Sequence, residues 1–167
     1  MEKLIITGGK KLGGEISVHG SKNAVLPIMA SALLIKGETV LHNVPNLSDV
    51  EASANILRRL GARVERKAST LIIDASSVTG NTIPEEMMRE MRSSIIFLGS
   101  LLSRCGEAWL CPPGGCDIGI RPIDLHISSL KKLGAQITEN GNCICCRAVK
   151  LRGAKVFLSF PSAVSYT

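Results

Sequence analysis

The sequence predicts an α/β fold made from a repeated unit of strand, helix, strand, helix, strand, strand. Three observations carry this. The signature Leu57-Arg58-Arg59-Leu60-Gly61-Ala62-Arg63-Val64 returns as Leu130-Lys131-Lys132-Leu133-Gly134-Ala135-Gln136-Ile137. A Gly-Glu pair opens a β-prone run twice, at Gly37-Glu38 and at Gly106-Glu107. An almost wholly apolar stretch precedes each pair, "SKNAVLPIMASALLIKGE" and "MRSSIIFLGSLLSRCGE". Sustained self-similarity of this kind marks a repeat architecture.

Each element follows in order. The apolar stretches predict helices buried on most sides. Ser21 is placed to cap the first, whose free N–H groups suit an anion. The runs "TVLHNVP" and "AWLCPPG" predict short strands. Val50, Ala54 and Leu57, and then Ile123, Ile127 and Leu130, hold helical spacing. Gly61 and Gly134 end those helices, where glycine suits a left-handed cap. "ARVERKASTLIID" and "AQITENGNCICCRA" then predict a strand pair in each unit. A third unit begins at "LRGAKVFLSFPSAVSYT", which echoes "LGGEISVHGSKNA". It stops where a third buried helix is expected, so the sequence reads as part of a longer protein.

The composition narrows the function. The chain has 167 residues, 45% of them hydrophobic, enough for a sizeable core. Net charge is +6, which points to anionic partners. Aromatic residues make up only 3%, too few for a nucleic-acid binder that stacks bases, and no basic run stands out. Phosphorylated small molecules are the better match; a basic βαβ-repeat module that binds RNA is the alternative. No secretory signal opens the sequence, and the longest apolar stretch, residues 24–35, is too short to span a bilayer. A cytoplasmic protein without a membrane contact is expected. Its six cysteines are then expected to be thiols. Cys143-Ile144-Cys145-Cys146 does not have zinc spacing, so no metal is expected.

Chemistry-bearing residues concentrate at helix starts and in one loop. Gly37 and Gly106 lie 69 residues apart, but Gly61 and Gly134 lie 73 apart, so the second unit holds four extra residues. They fall in the glycine-rich loop of Cys116. An unequal loop in an otherwise equal repeat is where function is expected. The plain alternative is a Cys that packs as a small hydrophobe. Lys22 and Asn23 open the first apolar helix, and Arg92 opens its counterpart. Each is a ready anion contact or an ordinary surface residue. Arg121-Pro122-Ile123-Asp124 reads as a helix start, with Pro122 at the first position and Asp124 facing the positive end.

Taken in order, Gly20-Ser21-Lys22-Asn23-Ala24, Met91-Arg92-Ser93-Ser94, Pro113-Gly114-Gly115-Cys116-Asp117-Ile118-Gly119 and Arg121-Pro122-Ile123-Asp124-Leu125-His126 resemble the bacterial UDP-N-acetylglucosamine 1-carboxyvinyltransferases. These enolpyruvyl transferases begin peptidoglycan synthesis for the bacterial cell wall. The resemblance runs from about Leu4 to Ser162. It implies an inside-out α/β barrel of βαβαββ units, like that of EPSP synthase and incomplete in this chain. Residues 1–20 would be initial strands of a second, C-terminal domain, and 21–167 a catalytic-type domain. It also implies transfer of the enolpyruvyl group of phosphoenolpyruvate to the 3′-hydroxyl of UDP-N-acetylglucosamine, with no cofactor. Cys116 would be proton donor and covalent partner, and the target of fosfomycin. Lys22 and Asn23 would hold phosphoenolpyruvate. Arg92, Arg121, Pro122, Ile123, Asp124, Leu125 and Ser162 would hold the nucleotide sugar. The C-terminal portion would supply the base for the hydroxyl and a further arginine. The chain alone is therefore expected to be inactive. After Ser162 the sequence departs from the family pattern, with Ala163-Val164 where a glycine is usual.

Overall fold

A computed structural model describes residues 3–111, 123–140 and 143–158, with the backbone alone at Arg92 and Asn140. The first unit contains α1 (Lys22–Ser31), β1 (Glu38–Leu41), α2 (Ser48–Arg59), β2 (Arg63–Lys67) and β3 (Thr70–Asp74). The second contains β4 (Thr82–Ile83), α3 (Glu85–Glu90), α4 (Phe97–Cys105), β5 (Glu107–Leu110), α5 (Asp124–Lys132), β6 (Gln136–Asn140) and β7 (Cys143–Arg147). Short 3-10 turns, Ala32–Leu34 and Arg92–Ile96, follow α1 and precede α4.

The repeat in the sequence is a repeat in space. The first sheet has the order β1-β3-β2 and the second β4-β5-β7-β6. With β5, β7 and β6 in the places of β1, β3 and β2, the two antiparallel cores are the same. β4 adds a strand parallel to β5, with Thr82 opposite Trp109. Both signature glycines are left-handed, Gly61 at φ 103° and Gly134 at φ 98°. Gly106 ends α4 in the same way at φ 73°. The two sheets do not close into a barrel among the described residues.

The core lies between the helices and the inner sheet faces. α1 packs on α2 and on α4, and α4 packs on β5. Met29, Leu33, Leu57, Ile73, Phe97 and Leu98 are among its fully buried side chains. Val50, Ala54 and Leu57 of α2 are buried, as their spacing predicts. Burying a side chain of this size stabilises the fold by about 1.5–3 kcal/mol.

Four expectations need correction. α1 is buried on one side only: Ile28 is 45% exposed, with Leu34 and Ile35 beyond it at 52% and 51%. The described elements cover a single flank of this helix. The Ser21 hydroxyl does not cap α1; its carbonyl accepts the N–H of Ala24 and Val25 instead. In α5, Ile123, Ile127 and Leu130 are only half-buried, because that helix packs mainly against β6. Finally, Cys111 and Cys143 form a disulfide rather than standing as thiols. The β5–β7 ladder pairs Leu110 with Ile144, so the next residues out, Cys111 and Cys143, oppose each other directly.

Residues 3–20 belong to neither sheet. Leu4, Ile5, Ile6, Leu12, Ile16 and Val18 are 77–92% exposed. A strand satisfies its backbone groups only through a neighbour, and β1 and β2 are not paired with this segment.

Candidate functional site

The entry to α1 is fixed by backbone contact. A Cβ on residue 20 would lie 2.1 Å from the Asn43 carbonyl oxygen, so only glycine fits there. Asn43 is itself left-handed, φ 55°, a conformation that asparagine tolerates better than most residues. The next residue, Val44, donates its N–H to Ser69 O at 2.8 Å, which ties this loop to the β2–β3 turn. The start of α1 is thus braced against the loop that leads into α2.

That bracing sets Lys22 beside Asp49. Lys22 Nζ lies 2.9 Å from Asp49 Oδ2, with the two side chains 50% and 30% exposed. Asp49 sits in the first turn of α2 and answers the positive end of that helix. Lys22 carries its charge at the positive end of α1, where cations are disfavoured, and the carboxylate offsets this. Asn23 is exposed beside it. The first N–H groups of a helix have no intrahelical acceptor. These N–H groups, with the Lys22 ammonium held beside them by Asp49, form a water-accessible donor end that suits a phosphate or carboxylate.

Arg92 aligns with Asn23 at the 69-residue offset. It begins the 3-10 turn that runs into α4, and this turn packs against α1. The buried Ser94 hydroxyl donates to Met88 O at 3.1 Å and fixes the turn. The structure thus packs the turn that Arg92 opens against the helix that Lys22 and Asn23 open. Ile123 and Leu125 are half-buried and Asp124 is exposed, all at the start of α5. Cys116, Arg121, Pro122 and Ser162 lie outside the described residues.

The remaining thiols are poor nucleophiles. Burial pushes Cys105 up, against the partly offsetting Arg104 charge. Burial pushes Cys145 up as well. Cys146 is pushed up to about 11, chiefly by burial and then by Cys145. On the Cys145 face of the second sheet, Glu107 accepts from Arg147 Nε at 2.8 Å and Trp109 Nε1 at 2.7 Å. These contacts hold its carboxyl below its usual range, the Arg147 hydrogen bond first. Both partners are satisfied, so this cluster reads as structure. No group of three metal-ligating side chains occurs among the described residues.

Sequence reasoning missed Asp49. An acid in the first turn of an amphipathic helix is ordinary, and nothing in spacing links it to a lysine 27 residues earlier.

The chain matches the EPSP synthase (3-phosphoshikimate 1-carboxyvinyltransferase) family over residues 6–166. It is 46% identical over 162 residues to UDP-N-acetylglucosamine 1-carboxyvinyltransferase 2 of Caldanaerobacter subterraneus, covering 97% of this chain and 39% of that protein. It is 52% identical over 159 residues to UDP-N-acetylglucosamine 1-carboxyvinyltransferase of Chloroherpeton thalassium, covering 93% and 37%. The chain thus spans well under half the length of these curated relatives. In fold it is similar to the enolpyruvyl transferase NikO of Streptomyces tendae, at TM-score 0.74 and 21% identity, covering 87% of this chain and 32% of that one. An EPSP synthase of Acinetobacter baumannii gives TM-score 0.55 over 86% of this chain and 35% of that one, at 21% identity. By the extent of the family match and the identity to these relatives, this chain belongs to the EPSP synthase (3-phosphoshikimate 1-carboxyvinyltransferase) family.

Proposed function

We propose that the chain is the substrate-holding portion of a UDP-N-acetylglucosamine 1-carboxyvinyltransferase. The observation that carries this is the braced start of α1, where Lys22 is held 2.9 Å from Asp49 beside the free helix N–H groups, on a helix that also packs against the Arg92 turn. Identities of 46% and 52% to relatives of that name support the same reading.

In this reading C3 of phosphoenolpyruvate takes a proton and the sugar 3′-hydroxyl adds to C2. A proton then leaves C3 and phosphate departs from C2, restoring the enol ether on the sugar. Lys22 and the α1 N–H groups hold the phosphate and carboxylate, and Asn23 orients them. Preorganised cations matter most where charge develops on the departing phosphate. Cys116 is the proton donor. This role rests on the resemblance of its glycine-rich loop to the family's cysteine loop. Arg92, Arg121, Pro122, Ile123, Asp124, Leu125 and Ser162 take the uridine nucleotide. Residues 1–20 serve a second domain, which is why their apolar side chains lie in water here. That domain supplies the base for the sugar hydroxyl, and the work is done in the cytoplasm. No helix among the described residues is long and apolar enough to cross a membrane.

Filter binding tests this with labelled UDP-N-acetylglucosamine and a labelled RNA of mixed sequence. Saturable retention of the nucleotide sugar, competed by unlabelled compound, is expected. Retention of RNA alone would favour the RNA-binding reading.

A further inference from the structure

The disulfide lies at the end of the second sheet, where β5 finishes and β7 begins. Cys111 follows the last residue of β5 and Cys143 is the first residue of β7. Their Cα atoms are 3.9 Å apart across 32 residues of sequence. Both residues are half-buried rather than sealed in the core. The two strands are held in register by four backbone pairs, Glu107↔Arg147 through Leu110↔Ile144. That ladder keeps the two sulfurs opposed whether or not they are bonded. Opposed thiols on a fixed ladder re-pair readily, because closing the bond requires little further ordering.

Two of the other described thiols are shielded from this chemistry by burial, and the third, Cys105, is half-buried with its thiol pushed up by that burial. Cys145 is 3% exposed and Cys146 fully buried. Cys105 donates its thiol to the Gly80 carbonyl at 3.7 Å. Exchange needs an accessible thiolate.

We propose that Cys111 and Cys143 form a reversible thiol–disulfide site whose co-reactant is a low-molecular-weight thiol. An external thiolate attacks one sulfur of the Cys111–Cys143 bond. A mixed disulfide forms and the other cysteine leaves as thiolate, which takes a proton. A second external thiolate attacks the mixed disulfide, releasing the second protein thiol. Two external thiols become one external disulfide while the protein bond gains two electrons and two protons. The reverse sequence uses the external disulfide as oxidant. The outcome is a sheet corner with two covalent states, placed immediately before the segment that carries Cys116. The exchange itself does not depend on the role proposed for Cys116.

The test equilibrates the purified chain in glutathione buffers from fully oxidised to fully reduced. Thiols are trapped with N-ethylmaleimide and mapped by peptide mass. The expected result is interconversion of the Cys111–Cys143 disulfide and the doubly alkylated pair within the range of cellular glutathione poises. Cys105, Cys145 and Cys146 stay unmodified throughout in the folded protein. The oxidised form should melt roughly 5–15 °C above the reduced form. In Cys143→Ser, Cys111 should instead carry a glutathione mixed disulfide in the oxidised buffer. A bond that survives reduced glutathione, a pair that stays unbonded in oxidised glutathione, or exchange spread over all the cysteines would each overturn the proposal.

Discussion

Replacing Gly20 by Ala tests the bracing of α1 directly. The new Cβ would stand 2.1 Å from the Asn43 oxygen, 3.3 Å from its carbonyl carbon and 3.5 Å from Pro45 Cδ. Carbon–oxygen contacts ordinarily begin near ~3.3 Å, so the two backbone segments must part by about 1 Å. Neither can yield as a flexible side chain would. Asn43 is already in the left-handed region and its neighbour Val44 is hydrogen-bonded to Ser69. Forced overpacking of this kind costs about 1–3 kcal/mol. The same displacement pulls Lys22 from Asp49, since the two sit on opposite sides of the contact. The assay is urea denaturation of G20A against the parent chain. A lower midpoint with unchanged slope is expected, because the unfolded surface does not change. Gly99→Ala is the control. Nothing lies within 4 Å of a Cβ there, and Gly99 is inside α4. It should stabilise by up to about 1 kcal/mol through helix propensity. A Gly20→Ala chain as stable as Gly99→Ala would refute the reasoning.

Other outcomes follow from the same structure. Lys22→Ala should weaken phosphoenolpyruvate binding, read by calorimetry, while costing less than ~1 kcal/mol of stability, because its pair with Asp49 is half-exposed. Arg121→Ala should weaken UDP-N-acetylglucosamine binding about tenfold or more. Arg59→Ala, an exposed arginine, should not. Cys146 has its folded-state pKa raised to about 11 from 9.0. The unfolded thiol therefore loses its proton first, and stability falls as pH rises from about 9 through about 11. In Cys146→Ala that part of the pH profile should flatten in urea titrations. The 167-residue chain with both substrates should release no phosphate; turnover that follows its monomer peak and is lost in Lys22→Ala would show that the site is complete in this length.

The repeat was legible because it is written in backbone requirements. Gly61 and Gly134 must be left-handed, and no common side chain takes that conformation cheaply. The α2 stripe of Val50, Ala54 and Leu57 was legible for the same kind of reason, since helical spacing is local. The exposure of Ile28 and the half-burial of α5 were not. Hydrophobicity says that a face wants cover and cannot say which element supplies it. The Cys111–Cys143 pair was hidden too, because it depends on the β5–β7 register, which joins residues 32 apart. Composition argued for reduced thiols, whereas register decided the contact. Lys22 stood out as a cation at a helix start, but Asp49 needed the fold. Cys116 lies outside the described residues, and its role rests on an uneven loop between equal units and on the resemblance around it.

Exposure of the chain to fosfomycin, followed by peptide mass mapping, tests the central claim most directly. A thiolate opens the epoxide, forming a carbon–sulfur bond as the carbon–oxygen bond breaks and the alkoxide takes a proton. A single adduct on Cys116 is predicted, absent in Cys116→Ser and slowed in Lys22→Ala. Adducts distributed over Cys105, Cys116, Cys145 and Cys146 alike, or labelling undiminished in Cys116→Ser, would contradict an organised enolpyruvyl-transferase site in this chain.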